Sequence, residues 1–123
     1  MGVSKMTYKD VEIITTDLSG LTIDEGNKVL NEAVAVISKY PEKSVLSLIN
    51  VEGIKINSAF LDEIKEVGKK NGPYVKGTAV VGLTSMTKLM ARAIIKFTGR
   101  KAALFDDEES ALAWLYQVHL GEK

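Results

Sequence analysis

The sequence predicts one α/β domain in which a mainly parallel sheet of four or five strands packs against about four helices. Short segments rich in β-branched residues alternate along the chain with longer segments of helical apolar spacing. Helix-capping residues precede the longer segments, and the connections are short. This alternation is typical of parallel strands joined by right-handed helical crossovers. A chain of 123 residues can bury its own core, so residues 1–123 are predicted to form a single domain.

Four segments are predicted to be strands, because each is short, mainly apolar and bounded by turn residues. They span residues 11–16, 44–50, 76–82 and 101–105. The second and third are mostly apolar, as expected of central strands that helices cover on both faces. Residues 1–10 are expected to form either an edge strand around Tyr8 or a flexible N-terminus.

Capping residues predict where the helices begin. Thr22 and Glu25 have the spacing of a capping box, in which each side chain accepts a hydrogen bond from the other residue's backbone N–H. The second helix is expected to begin at Asn57 or Ser58. The fourth is expected to follow Asp106, whose carboxylate would cap it.

The third helix is predicted to begin at Thr84 or Ser85 and to end at Thr98, with Gly99 after it. Its apolar residues recur at helical spacing, so they are expected to face the sheet. The predicted inward side chains are Met86, Leu89, Met90, Ala93, Ile94 and Phe97. In the last helix, Trp114 and Leu115 are expected to anchor the helix on the sheet.

Composition excludes several classes of function. The chain has no Cys, which removes disulfides, thiolate metal sites and cysteine nucleophiles and is typical of a reducing cytoplasm. Its one histidine, His119, is remote from the residues that a catalytic triad would need. No catalytic residue, metal site or cofactor is therefore predicted, and the protein is not expected to be an enzyme. No apolar segment approaches the ~18 residues of a membrane-spanning helix, so no transmembrane segment is predicted.

The loops that follow the parallel strands are the predicted working part of the molecule. Parallel strands bring their carboxyl ends to one edge of a sheet, and ligands bind there in folds of this class. Four loops are expected to share that edge: residues 17–21, 50–56, 82–85 and 105–107.

A basic segment adjoins this edge. Residues 67–105 contain eight Lys and Arg side chains and no carboxylate, although the chain has no net charge. Thr84 and Ser85 stand at a helix start whose free N–H groups suit an anion, and Lys88 and Arg92 follow at one helical turn each. The segment is either an anion- or partner-binding surface or a solvated basic face. Nucleic acid is not an expected partner, because no aromatic side chains accompany the basic ones.

Residues 48–61, LINVEGIKINSAFL, resemble the central signature of the STAS family of anti-sigma-factor antagonists. In that signature a strand and a short loop lead to Asp-Ser-Ser-Gly-Leu at the start of a helix. Asn57 stands here in place of the motif Asp, and Ala59 and Phe60 replace Ser and Gly. Ser58 occupies the position that partner kinases phosphorylate, so the resemblance implies a switch at Ser58. Because Asn57 also lies at a helix start on the loop edge, it joins the expected partner- or anion-binding residues.

The C-terminal half is similar to the SpoIIAA-like branch of this fold, through residues 79–84, 105–106 and 109–115. Together the two resemblances cover about residues 10–116. They imply a STAS-like fold, related in shape to CRAL-TRIO lipid-transfer domains, and a non-enzymatic regulatory module that binds a protein partner through the loop edge. The alternative is a protein that binds a small molecule or lipid, such as an anionic one, in apolar space under the third helix. A homodimer is compatible with both.

Overall fold

The computed structural model describes residues 2–98 and 101–121, which form five strands and four helices. In chain order the elements are β1 (Gly2–Tyr8), β2 (Val11–Asp17), α1 (Ile23–Ile37), β3 (Val45–Asn50), α2 (Ser58–Asn71), β4 (Val75–Val81), α3 (Ser85–Thr98), β5 (Ala102–Phe105) and α4 (Glu108–Leu120). The predicted α/β class is confirmed. The sheet has five strands, the larger of the two predicted numbers.

The order of strands in the sheet is their order in the sequence. β1 pairs with β2 in antiparallel orientation, and β2 to β5 are parallel. Asp17 is paired with Asn50, Asn50 with Val81, and Val81 with Phe105. The carboxyl ends of the four parallel strands therefore lie side by side, and the loops that follow them share one edge, as predicted.

Helices α1, α2 and α3 cover one face of the sheet, and α4 covers the other. Three successive right-handed crossovers in one direction place their helices on the same face, so only α4 remains for the second face. There, sheet and helix form one buried apolar cluster of Val11, Ile13, Leu46, Leu48, Ala79, Val81, Ala111, Leu112, Leu115 and Val118. On the first face, two further clusters join the sheet to α1 and α2.

The cap of α1 is the one that the sequence predicts, and the cap of α2 is the first of the two residues between which the sequence left the choice open. The Thr22 hydroxyl accepts the Glu25 N–H at 3.2 Å, and the Glu25 carboxylate accepts the Thr22 N–H at 2.9 Å. Asn57 caps α2, because its side-chain oxygen accepts the N–H of Phe60 at 2.8 Å. Each cap satisfies a backbone donor that the first helical turn leaves free.

The cap predicted for α4 is wrong by one residue. Asp107, in an extended conformation, caps this helix by accepting the Ser110 N–H at 2.7 Å. The carboxylate of Asp106 points elsewhere and forms an ion pair with Lys88 of α3. Two adjacent acids fit the same capping pattern, and the tertiary contact with Lys88 decides which of them caps the helix.

The contribution of Trp114 to the core is smaller than predicted. Leu115 is fully buried beneath α4, whereas Trp114 is half-buried at the border of that cluster. The Trp114 ring packs against Phe105, with ring centroids 5.7 Å apart. Leu115 is therefore the stronger of the two anchors.

The orientation predicted for α3 is wrong. Four of the side chains predicted to face the sheet are exposed: Met86, Leu89, Met90 and Ala93. The exposed fractions reach 74% for Met86 and 67% for Leu89. The side chains of Ile94 and Phe97, and residue Gly99, lie outside the described residues.

The opposite stripe of α3 faces the sheet instead, formed by Thr87, Ala91 and Ile95. The ion pair between Lys88 and Asp106 lies on this side of the helix and links α3 to the loop after β5. Because Lys88 follows Thr87 and precedes Ala91 by one turn, the ion pair and the inward stripe require the same rotation of α3. Met86, Leu89 and Met90 are therefore left on the exposed side of the helix.

Candidate functional site

Backbone hydrogen bonds hold the loop edge together. The Leu18 N–H, just beyond β2, donates to the Asn50 carbonyl at 2.8 Å, and the Val51 N–H donates to the Val81 carbonyl at 3.0 Å. These bonds continue the sheet ladder beyond the ends of the strands. The loops therefore start from fixed positions relative to one another.

Two glycines with positive φ lie in these loops, and one of them brings the loops closer than a side chain would permit. Gly82 has a φ of +91°, and a Cβ atom there would lie 2.5 Å from the backbone nitrogen of Glu52. Gly53, with a φ of +79°, lies against Gly20, whose N–H donates to the Glu52 carbonyl at 2.9 Å. At Gly82 both the conformation and the close approach require glycine, whereas at Gly53 the positive φ alone favours it, because a Cβ atom there would lie 3.6 Å from its nearest neighbour.

Asp17, at the end of β2, has a carboxylate that is engaged in the loop. It accepts hydrogen bonds from the Ser19 hydroxyl and, at 3.0 Å, from the Ser19 N–H. These hydrogen bonds lower the pKa of Asp17 below its usual value. The bond from the Ser19 hydroxyl has the larger effect, and the bond from the Ser19 N–H adds to it. A carboxylate stabilised in its charged form supports the loop and is a poor proton donor at neutral pH.

Ser58 is the first residue of α2, and both Ser58 and its neighbour Asn57 are exposed on the loop edge. The first turn of α2 contains no acidic side chain. A negative charge on Ser58 would therefore meet the positive end of the helix without repulsion from its own turn. The two residues that the resemblance singles out are thus accessible.

Phe60, which stands in place of the glycine of the STAS signature, is completely buried. It packs beneath α1 against Gly26, where a Cβ atom would lie 3.2 Å from the Phe60 ring and 3.0 Å from Ile54. The small residue in α1 therefore makes room for the large one in α2. This exchange leaves the helix start with Ser58 exposed, in the position that the signature implies.

Thr84 caps α3 through reciprocal bonds with Thr87. The Thr87 hydroxyl accepts the Thr84 N–H at 2.8 Å, and the Thr84 hydroxyl accepts the Thr87 N–H at 3.3 Å. Ser85 and Arg92 are exposed. Of the predicted anion- or partner-binding residues, Thr84, Ser85 and Arg92 therefore lie at or beside the loop edge with accessible polar groups.

Lys88 differs from these residues, because Asp106 neutralises it. The hydrogen bond and the charge of Lys88 lower the pKa of Asp106 below its usual value, and Arg92 adds a smaller effect in the same direction. Lys88 is also the less exposed member of the pair, at 24% of its side chain. Its charge attaches α3 to the molecule, and an incoming anion would have to compete with Asp106.

A cavity of about 280 Å³ lies between α2, α3 and the sheet. Its floor is made by side chains of the sheet, including Ile49, Val80 and Leu104. Its walls include small residues on both helices, Gly68 of α2 and Ala91 of α3. Gly68 and Ala91 contribute little volume at these positions, which leaves space between the two helices and the sheet.

The residues described in the structure contain no cluster of three His, Cys, Asp or Glu side chains that could hold a metal ion. Among these same residues, no helix is long and apolar enough to cross a membrane.

Comparison with known proteins establishes the family. A family model described as SpoIIAA-like matches residues 5–116. The chain belongs to the SpoIIAA-like family. No functionally curated protein matches the chain in sequence.

Two solved structures share the architecture of this SpoIIAA-like domain. One is an uncharacterised protein with a SpoIIAA-like fold from Shewanella loihica, with a TM-score of 0.66 and 23% identity over 93% of this chain and 92% of that one. The other is an anti-sigma-factor antagonist (STAS) domain protein from Planctomyces limnophilus, with a TM-score of 0.63 and 15% identity over 94% and 99% of the two chains. Both similarities show the fold, and they confirm the predicted STAS-like architecture.

The cationic rim of the cavity in this SpoIIAA-like domain was not predicted from the sequence. Lys65 and Lys69 of α2 line the cavity and are exposed, so they mark its opening. Lys65 and Lys69 are four residues apart and therefore share one side of α2. This spacing is the sequence pattern from which a basic rim could have been predicted. Gly68 between them, on the inward side of the helix, indicated that α2 leaves space there.

Proposed function

We propose that this SpoIIAA-like domain is a non-enzymatic regulatory module of the cytoplasm that binds a protein partner through its loop edge. One observation carries the proposal: the exposed apolar face of α3, defined as Met86, Leu89, Met90 and Ala93, begins at the loop edge. Large apolar side chains grouped on one exposed helix face are typical of protein interfaces. Met86 is the second residue of α3, so the apolar face continues the polar edge formed by Ser58, Asn57 and Ser85.

Phosphorylation of Ser58 is the proposed regulation of this surface. A phosphate would add about −1.5 to −2 charges at neutral pH to an exposed helix start that has no acidic side chain in its first turn. The helix end would tolerate that charge, whereas an apolar partner surface would not. Phosphorylation is therefore expected to release the partner and to leave the domain folded.

The anion- or partner-binding residues have separate parts in this proposal. Thr84, Ser85 and Arg92 offer polar and cationic contacts beside the apolar face, and Arg92 is suited to a carboxylate of the partner. Lys88 holds α3 in position through Asp106. A partner carboxylate would gain more from Arg92 than from Lys88, because Lys88 is already paired.

The non-enzymatic part of the proposal is supported by the titratable groups at the edge. Asp17 is hydrogen-bonded to Ser19, and Asp106 is paired with Lys88. His119, in the last turn of α4, stacks on Tyr116 with ring centroids 6.3 Å apart. Two serine hydroxyls donate to neighbouring acids, Ser19 to Asp17 and Ser110 to Asp107, and do so within two or three residues of chain, as in ordinary loop and cap contacts.

The test is affinity capture from cells of the source organism, with wild type, Ser58→Ala and Ser58→Asp as baits. Ser44→Asp is the matched control, because Ser44 is an exposed serine just before β3, at the opposite edge of the sheet. We expect the same partner with wild type, Ser58→Ala and Ser44→Asp, and loss of that partner with Ser58→Asp. Phosphopeptide mass spectrometry of the native protein should locate a phosphate on Ser58.

A second set of variants tests the apolar face itself. Leu89→Gln should abolish capture of that partner, while Leu120→Gln, which replaces an exposed leucine at the end of α4, should not. Size-exclusion chromatography with light scattering identifies whether the partner is a second copy of the chain. Equal capture by wild type, Ser58→Asp and Leu89→Gln would contradict the proposed surface.

A further inference from the structure

The cavity between α2, α3 and the sheet is a binding site of a different kind from the exposed edge. With a volume of about 280 Å³, it is nearly twice as large as an engineered apolar cavity of about 150 Å³ that takes up benzene. It is also at the lower end of the range for small-molecule pockets, roughly 300 Å³ and above. A space of this size within a small domain is large enough for a ligand.

The lining of the cavity is suited to hydrocarbon. Its floor is formed by Ile49, Val80 and Leu104, and its helix walls by Ile64, Ala91 and Ile95. If a methylene group needs about the volume of a water molecule, roughly 30 Å³, the cavity holds a chain of about nine carbons. An apolar chain gains free energy with every carbon that it buries there.

The charge at the opening of the cavity indicates what the polar end of a ligand must be. Lys65 and Lys69 line the cavity and keep their ammonium groups accessible, with 46% and 71% of their side chains exposed. Each is paired on the helix surface with the acid three residues before it, Asp62 at 3.9 Å and Glu66 at 3.4 Å. Such exposed pairs are weak and can be exchanged. No acidic side chain lines the cavity among the described residues.

We propose that this cavity binds an unbranched carboxylate of medium chain length, with the hydrocarbon between α3 and the sheet and the carboxylate at Lys65 and Lys69. This site goes beyond the proposed partner binding and does not depend on it. The long side chains of the two lysines reach the opening while the apolar interior remains free of charge, which separates the two ends of the ligand.

The first experiment measures affinity against chain length by isothermal titration calorimetry, with hexanoate, octanoate, decanoate and dodecanoate below their micellar concentrations. Affinity should rise roughly tenfold for each pair of added methylenes up to decanoate, because each buries further apolar surface. It should then level off at dodecanoate, whose chain exceeds the cavity. An absence of binding, or an affinity that keeps rising with the same increment, would overturn the proposal.

Two variants locate the site. Ala91→Phe fills the cavity from α3, and Ala93→Phe is the matched control, because Ala93 lies on the exposed apolar face of the same helix. Decanoate binding should be lost in Ala91→Phe and retained in Ala93→Phe. Ala102→Phe fills the same cavity from β5 and must give the same loss, so the result does not rest on one variant. Circular dichroism verifies that each variant is folded.

A third comparison tests the headgroup. The double variant Lys65→Gln/Lys69→Gln should bind decanoate at least tenfold more weakly than wild type and should bind decanol as wild type does. Lys70→Gln, in the same helix turn but outside the cavity lining, is the control and should leave both affinities unchanged. If wild type binds decanol as tightly as decanoate, the carboxylate preference is refuted.

Discussion

The contact between Gly82 and the loop after β3 gives a quantitative test of how the edge is built. We expect Gly82→Ala to destabilise the domain by about 3 kcal/mol, against about 1 kcal/mol for Gly20→Ala. Both glycines have positive φ, +91° and +69°, so both substitutions carry the left-handed backbone cost. A Cβ atom on Gly20 would have no neighbour within 4 Å, whereas one on Gly82 would lie 2.5 Å from the Glu52 nitrogen.

The difference between the two variants follows from the distance that the loops must move. Ordinary contact for a Cβ atom begins at 3.4 Å, so Gly82 and Glu52 must separate by about 0.9 Å. A shift of that size would stretch the neighbouring hydrogen bond from Val51 to Val81, now 3.0 Å, beyond bonding range. The loss of one such bond and the accompanying distortion together account for about 2 kcal/mol.

Urea denaturation followed by circular dichroism measures both variants under the same conditions. The dependence of the free energy of unfolding on urea should remain unchanged, and the midpoint should fall about three times as far in Gly82→Ala as in Gly20→Ala. Because both substitutions restrict the unfolded chain equally, that effect cancels in the comparison. Equal midpoints for the two variants would refute the close approach of the two loops.

Three further predictions concern the core, a cap and a charge. Leu115→Ala should destabilise the domain by about 2–5 kcal/mol, and half-buried Trp114→Ala by less; a larger fall in urea midpoint for Trp114→Ala would contradict the assigned burial. Asn57→Ala should cost about 1 kcal/mol in thermal or urea unfolding, while Asn57→Asp, which retains a capping oxygen, should cost nearly nothing. Asp17 has a lowered pKa in the folded state, so wild type should be more stable than Asp17→Asn above about pH 4 and lose this advantage as the pH falls further; a difference independent of pH between 7 and 2.5 would exclude the proposed hydrogen-bonded carboxylate.

The sequence predicts those features of the fold that local chemistry determines. The Thr22–Glu25 capping box and the Asn57 cap are each contained within four residues, so their patterns can be recognised without tertiary information. The loop edge follows from the parallel order of the strands. The alternation of strands and helices, together with the helix starts, was sufficient to place Ser58 at a helix start on the loop edge.

The features that were predicted wrongly from the sequence, the orientation of α3 and the cap of α4, depend on contacts between distant elements. Two stripes of α3 contain apolar residues, and apolar spacing favours the one with Met86 and Leu89. The pairing of Lys88 with Asp106, 18 residues further on, accompanies the opposite rotation. The same contact explains why Asp107 rather than Asp106 caps α4. Neither spacing nor composition contains this information.

Two glycines inside helices contained structural information that the sequence predictions did not use. Gly26, the fourth residue of α1, costs helix stability, and the structure gives the reason in the completely buried ring of Phe60, which packs against it. Gly68, inside α2, likewise lines the cavity. A glycine inside a helix therefore indicates either a close approach or an open space on its inward side. Gly26 is an example of the first and Gly68 of the second.

The identical order of strands in chain and sheet has a consequence for biosynthesis. Each strand from β2 onward joins a neighbour that the ribosome has already produced, so the sheet can grow one crossover at a time. The face lined by Leu46, Leu48 and Val81 is nevertheless covered only by α4, which is synthesised after all five strands. Until then the nascent chain presents an uncovered apolar sheet, and any interruption of translation after β5 would release a species prone to aggregate.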